Sequence, residues 1–167
     1  MSIDIQLFSE LPEAQKAEVA KLLSAYTNGE LGEAPQMLPV SPEDIYNKHI
    51  GLVALESGAA VGYVGALAPE TWSGKPMSEV GSLMVLPAFR RQGIAHKLVG
   101  AISHIMAAVG ELPYAFCNPS SIGVFGESGY AEAVAGEVPP SAFSACNKCP
   151  MKPPTGCCDK VVIYKEI

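Results

Sequence analysis

The sequence has no apolar run approaching the ~20 residues of a membrane-spanning helix. Its longest apolar stretch, around Leu98 to Gly110, is interrupted by Ser103 and His104. Basic charge is scarce: 11 Lys and Arg stand against 17 Asp and Glu, for a net charge of -6. That balance excludes a general nucleic-acid surface, because phosphate contacts need a basic field. The first ten residues carry two acids and no apolar core, so no secretory signal is read there. A cytoplasmic chain with no nucleic-acid or membrane partner is expected. Internal repeats and low-complexity tracts are also lacking. Charged residues make up only 17% of the chain and apolar ones 49%, a composition that excludes disorder. A chain of 167 residues is then long enough for a real core but short for two, and residues 1–167 are expected to form a single domain.

What is present reads as alternating strands and helices. Ile3, Ile5 and Leu7 alternate with polar residues, as a half-buried strand does. Val19, Leu22, Leu23 and Tyr26 give a helix from about Pro12 an apolar stripe. Ser41-Pro42-Glu43-Asp44 is a helix start, with a capping serine, proline at the first position and acids in the first turn; that short helix is expected to end near His49 or Ile50. Residues 51–56 and 60–67 read as strands joined by Ser57-Gly58, a hairpin signal. Residues 69–77, with Trp72, Gly74 and Pro76, read as a loop. Residues 131–138 and 161–167 read as two further strands. The class is α/β (α+β), with one mixed, mostly antiparallel sheet flanked by helices.

Glu79 to Val109 organises the rest. Val80 to Leu86 is a short apolar strand ended by Pro87. Ile94, Leu98, Ile102, Ile105, Met106 and Val109 fall on one face of a long helix, which Gly110 and Pro113 stop. Between them lies Arg90-Arg91-Gln92-Gly93-Ile94-Ala95-His96. Small residues let the backbone approach a ligand there. The first-turn amides of the helix have no partner within it, and its dipole adds positive potential. The combination suits a phosphate or pyrophosphate. It is not a Walker-type loop, since no Gly-Lys-Ser/Thr follows.

Leu83-Met84-Val85, Pro87 and Arg90-x-x-Gly93-x-Ala95 resemble the R-x-x-G-x-[GA] signature of GNAT-type N-acetyltransferases. Asn118 to Tyr130, with Ser121, Phe125, Gly129 and Tyr130, resembles the later N-x-x-[AS]-x-x-x-Y-x-x-x-G-[FY] segment of that family, at the matching distance. The two segments cover roughly a third of the chain. The resemblance implies an acyl-CoA N-acyltransferase fold and an acetyl-CoA-dependent transfer to an amine-bearing small molecule or peptide. It implies that Leu83, Met84 and Val85 line the acetyl and pantetheine groups. Arg90, Arg91, Gln92, Gly93, Ile94, Ala95 and His96 would cradle the phosphates, and Asn118 would hydrogen-bond the cofactor's arm. Asn118 equally reads as a cap for the next helix. One departure stands out. The family usually has a tyrosine, commonly the acid for the departing thiolate, where this chain has Phe125, which has no proton to give.

Transfer to an amine also needs a group to take its proton. Glu79 is the first choice, because it shares strand parity with Gly81, Leu83 and Val85 and so leaves the same sheet face; the plain alternative is a solvent-facing acid. Glu30 and Glu33, in the region that borders the acceptor in the family, are weaker choices. A loop of about 20 residues, 139–159, is long for a compact domain and carries Cys146, Cys149, Cys157 and Cys158. The Cys146-x-x-Cys149 spacing suits one metal, zinc or an iron–sulfur cluster, completed by Cys157 and Cys158. A disulfide or free thiols are the alternatives the spacing leaves open. Two functions follow: an N-acetyltransferase acting by direct attack, or a non-catalytic acyl-CoA-binding or metal- and redox-sensing module on the same fold. The acceptor and the oligomeric state are not fixed by the sequence, and a homodimer is left open.

Overall fold

Two Ser-Gly pairs set the hairpins from which the sheet grows. In the computed structural model, which describes residues 2–35, 37–134, 136–143 and 160–165, Ser57 and Gly58 join β2 (Ile50–Glu56) to β3 (Ala59–Ala66). Their φ values of 50° and 81° are the left-handed pair that a two-residue hairpin loop requires. Ser73 and Gly74, at 51° and 78°, do the same between β4 (Glu70–Trp72) and β5 (Lys75–Val85). The expected loop over 69–77 is therefore a second hairpin. Pro76 suggested a loop, but it sits near the start of a strand, where its missing N–H interrupts no central ladder.

β1 (Asp4–Leu7) pairs with β2. β6 (Leu112–Cys117), β7 (Tyr130–Glu132) and β8 (Lys160–Tyr164) complete a sheet of order β1-β2-β3-β5-β6-β8-β7, with β4 attached to β5. Among the described residues only β5 and β6 run parallel; the other pairs are antiparallel, and the mixed class expected from the sequence holds. The strand expected over 131–138 stops at Glu132. Gly136 turns the chain at φ 86°, and the Val134 N–H donates to the Glu137 carboxylate at 2.6 Å instead of to a neighbouring strand.

Helices cover both faces. α3 (Ile94–Ala108) buries Ile94, Leu98, Val99, Ile102 and Met106 against Leu52, Val61, Val64 and Val80. Each such side chain contributes ~1.5–3 kcal/mol when removed from water, which fixes which face of α3 meets the sheet. On the opposite face α1 (Glu13–Thr27) and α2 (Pro42–Tyr46) bring Val19, Leu23, Tyr26 and Ile45 onto Val53, Leu55, Tyr63 and Met84. α2 begins with a full capping box: the Asp44 N–H donates to Ser41 Oγ at 3.1 Å, and the Ser41 N–H donates to Asp44 Oδ2 at 2.8 Å. It ends three residues before His49, because the His49 N–H already donates to the Ala66 carbonyl of the sheet, at 2.9 Å. A short α4 (Ile122–Glu127) packs beside α3. Among the described residues no helix is long and apolar enough to cross a membrane.

β5 carries the feature that shapes the site. Tyr63 pairs with Met84 and Gly65 with Gly81, so three steps on β5 match two on β3. The extra residue lies at Ser82, whose φ of 53° is unusual for a residue with a side chain. This is a β-bulge, and it bends the strand and resets its alternation.

Candidate functional site

The loop before α3 is built to hold its backbone amides outward. Arg91 and Gly93 are both left-handed, at φ 63° and 77°, so successive N–H groups converge on one concave side. Lys97 donates the first bond of the helix, to the Gly93 carbonyl at 3.1 Å. The amides of Ile94, Ala95 and His96 ahead of it have no acceptor within the helix. Arg91, Gln92 and Gly93 are exposed, and a Cβ on Gly93 would meet nothing within 4 Å. The concavity is open and positive, as an anion site requires.

The side chains of this segment play different parts. Ile94 is buried in the α3 core, so only its backbone faces the loop. The Arg90 guanidinium turns inward: Nε donates to the Val85 carbonyl at 3.2 Å and a terminal nitrogen donates to the Tyr26 hydroxyl. Arg90 thereby ties the end of β5 to α1, although like Arg91 it remains exposed. The His96 ring meets Glu127 of α4 at 2.6 Å, which sets α4 against the start of α3.

Next to the loop the sheet opens. β5 and β6 pair only from Met77–Glu79 to Leu112–Tyr114. Beyond that point β5 bends at Ser82 and is no longer paired with β6, so the edge of residues 80–85 on that side carries no strand partner among the described residues. Leu83 and Val85 turn toward the α3 core, while Met84 is buried in the α1–α2 core. All three lie on the stretch of β5 beyond its pairing with β6.

Glu79 stands where the strands part, with Tyr114 as its register partner across the parallel pair. The bulge overturns the parity expected from the sequence. Glu79 shares its face with Gly81, Met84 and Tyr63, and Val85 points the other way. Its carboxyl pKa is raised to about 7; burial does this, and the Lys48 ammonium opposes it in part. Tyr114 is pushed up to about 12, chiefly by burial and then by the Glu79 charge. Glu79 can thus hold or release a proton near neutrality, which a base for amine chemistry needs. Glu30 and Glu33 are exposed in the α1–α2 connection.

Asn118 caps. Its side-chain oxygen accepts from the backbone N–H groups of Ser120 and Ser121 at 2.9 and 3.0 Å. Phe125 is 2% exposed and meets Tyr130 edge-on, with ring centroids 5.0 Å apart. The Tyr130 hydroxyl is shared with Ser103 Oγ at 2.7 Å, so that tyrosine is a core residue. Cys146, Cys149, Cys157 and Cys158 lie outside the described residues. No cluster of three or more His, Cys, Asp or Glu that could hold a metal occurs among the described residues.

Sequence reasoning missed Lys48, Tyr63 and Tyr114. Lys48 lies in the α2–β2 connection and bears electrostatically on Glu79, Tyr114 is its register partner, and Tyr63 stands on the same sheet face. The glycines flanking Tyr63 in Gly62-Tyr63-Val64-Gly65 were the available signal of a special strand.

Known proteins share this fold. The model of the acetyltransferase (GNAT) family matches residues 17–130. None of the curated proteins matches the sequence. A GNAT-family acetyltransferase from Staphylococcus aureus superposes with a TM-score of 0.65 at 17% identity, covering 98% of both chains. An Arabidopsis thaliana protein in complex with the bisubstrate analogue CoA-Ac-MVNAL gives 0.66 at 15% identity, over 99% of this chain and all of that one. N-acetylglutamate synthase from Neisseria gonorrhoeae, in complex with coenzyme A and N-acetyl-glutamate, gives 0.66 at 16% identity over 98% of this chain. The present chain spans only 35% of that synthase. At these identities the likeness is one of fold.

Proposed function

The chain belongs to the acetyltransferase (GNAT) family, and we propose that it transfers the acetyl group of acetyl-coenzyme A to a primary amine by direct attack on the thioester. The observation that carries this reading is the placement of Glu79 at the point where β5 and β6 part. The amide-lined loop before α3 holds the diphosphate, with Arg91 supplying further charge. The pantetheine arm lies along residues 83–85 and carries the thioester toward the fork. There the β5 backbone stabilises the oxyanion. Glu79, through water, takes the proton from the amine, which attacks in its neutral form. The complexes of related folds with an acetylated amino acid and with a peptide-bearing analogue support an amine on an amino acid, small molecule or peptide as acceptor.

Calorimetry with coenzyme A tests the binding half, and binding in the micromolar range is expected. An amine screen that follows thiol release tests the transfer half. No binding at millimolar coenzyme A would remove the proposal.

Phe125 favours a second reading, in which the site binds acyl-coenzyme A without turning it over. Its buried ring offers no proton to the thiolate. Phe125→Tyr separates the two. In an enzyme limited by thiolate departure it raises turnover by about tenfold or more, within the range of acid catalysis. In a pure binding module the wild-type chain is silent with every amine.

A further inference from the structure

Three glycines line up across the sheet on the face covered by α1 and α2. Gly51 of β2 is the register partner of Gly65 of β3, and Gly65 is the partner of Gly81 of β5. A Cβ on Gly51 or on Gly65 would lie 2.9 Å from the Tyr63 hydroxyl. One on Gly65 would also lie 3.1 Å from both Cγ and Cδ of Lys48. One on Gly81 would meet only Glu79 Oε2, at 3.7 Å. The row is therefore filled over Gly51 and Gly65 and open over Gly81, beside the carboxylate at the fork. Tyr63 is 0% exposed, and its hydroxyl, aimed into the row, has no hydrogen-bond partner among the described residues. Such a group calls for a polar occupant nearby.

Lys48 is laid along this row. Its methylenes cover Gly65, and two further bonds lead from Cδ to the amine. Adjacent strands are about 4.8 Å apart, so a rotamer change brings Nζ over Gly81. Among the described residues no carboxylate lies within ion-pair distance of the Lys48 ammonium, so no salt bridge has to break first.

We propose that Lys48 is itself an acetyl acceptor, and that the protein acetylates its own chain at this position. The inference rests on the acetyltransferase reading above. The Lys48 Nζ lone pair forms the new C–N bond at the thioester carbonyl, and the C–S bond of acetyl-coenzyme A breaks. Coenzyme A leaves as a thiolate, which takes a proton from water. The proton lost by Nζ passes to the Glu79 carboxylate. Tyr63 Oη sits beneath the same methylenes and can hydrogen-bond the amide that results. Burial favours the reaction further. It lowers the Lys48 pKa against the opposing pull of Glu79 and Asp44, so the neutral amine is more abundant there than on a surface lysine.

The test is incubation of the full chain with isotope-labelled acetyl-coenzyme A, read by intact mass and peptide mapping. One acetyl group is expected, on Lys48, at least tenfold faster than on exposed lysines such as Lys21, Lys75 and Lys97. Lys48→Arg should abolish that label, with circular dichroism showing it folded. Glu79→Gln should slow it at least tenfold. In denaturant, Lys48 should fall to the rate of the other lysines. Acetylation of an external amine with Lys48 unlabelled would overturn this inference and leave the transferase reading standing, as would label spread evenly over the surface lysines. Failure of coenzyme A to bind in calorimetry would overturn both.

Discussion

A carboxyl that must be ionised to work, yet is half-buried, carries its own pH dependence. Glu79 is protonated below about pH 7 because burial disfavours its charge, and Lys48 limits the rise. Activity should therefore climb as pH rises through about 7, when plotted against the concentration of neutral amine. Glu79→Gln should flatten that limb and lower kcat by roughly 10²–10⁴-fold, the usual worth of a positioned base. Affinity for coenzyme A should stay the same, since the carboxylate lies off the phosphate loop. At this scale the sequence offered Glu79 by its position on a strand, but with the wrong companions. Nothing in residues 79–85 announces that the alternation resets at Ser82. Arg90 shows the converse. It matched the signature, and only the tertiary structure shows that its guanidinium ties β5 to α1.

Among the elements, the loop and the bulge depend on backbone conformations that most residues resist. Gly93 holds φ 77° with open space around it, so Gly93→Ala meets no clash and acts through the backbone alone. A left-handed non-glycine residue costs about 1–2 kcal/mol. Coenzyme A binding by Gly93→Ala should weaken by about tenfold in calorimetry, with α3 intact by circular dichroism. Ser82 sits at φ 53° with a side chain already in place. Ser82→Gly should be neutral or stabilising by up to about 1 kcal/mol. Ser82→Val should destabilise by about 1–2 kcal/mol, since a β-branched residue fits that conformation worse. Thermal unfolding of the pair gives the order Gly, Ser, Val. The helices were legible because their apolar residues recur at three and four steps. The β4–β5 hairpin was not, because Ser73-Gly74 sat among loop signals although it repeats the Ser57-Gly58 pattern.

For the whole molecule, a ligand in a cleft at the fork would add contacts among β5, β6 and α3. Binding to the folded chain alone at 100 times Kd stabilises it by about 2.7 kcal/mol. A domain of this size shifts roughly 2–4 °C per kcal/mol, so saturating coenzyme A should raise Tm by about 5–10 °C. Scanning calorimetry with and without ligand checks it. A flat Tm would mean that the cleft does not take the cofactor.

Periodicity, turn chemistry and the two motifs were enough for the sequence to determine the class of fold, the order of most elements and the strand–loop–helix around Gly93. Those signals are local: each rests on residues within a turn or two of one another. The placement of Lys48 and Tyr114 by Glu79, the glycine row and the end of the β5–β6 pairing were decided only in three dimensions. They depend on register between strands far apart in the chain, and one extra residue at Ser82 changes which side chains share a face.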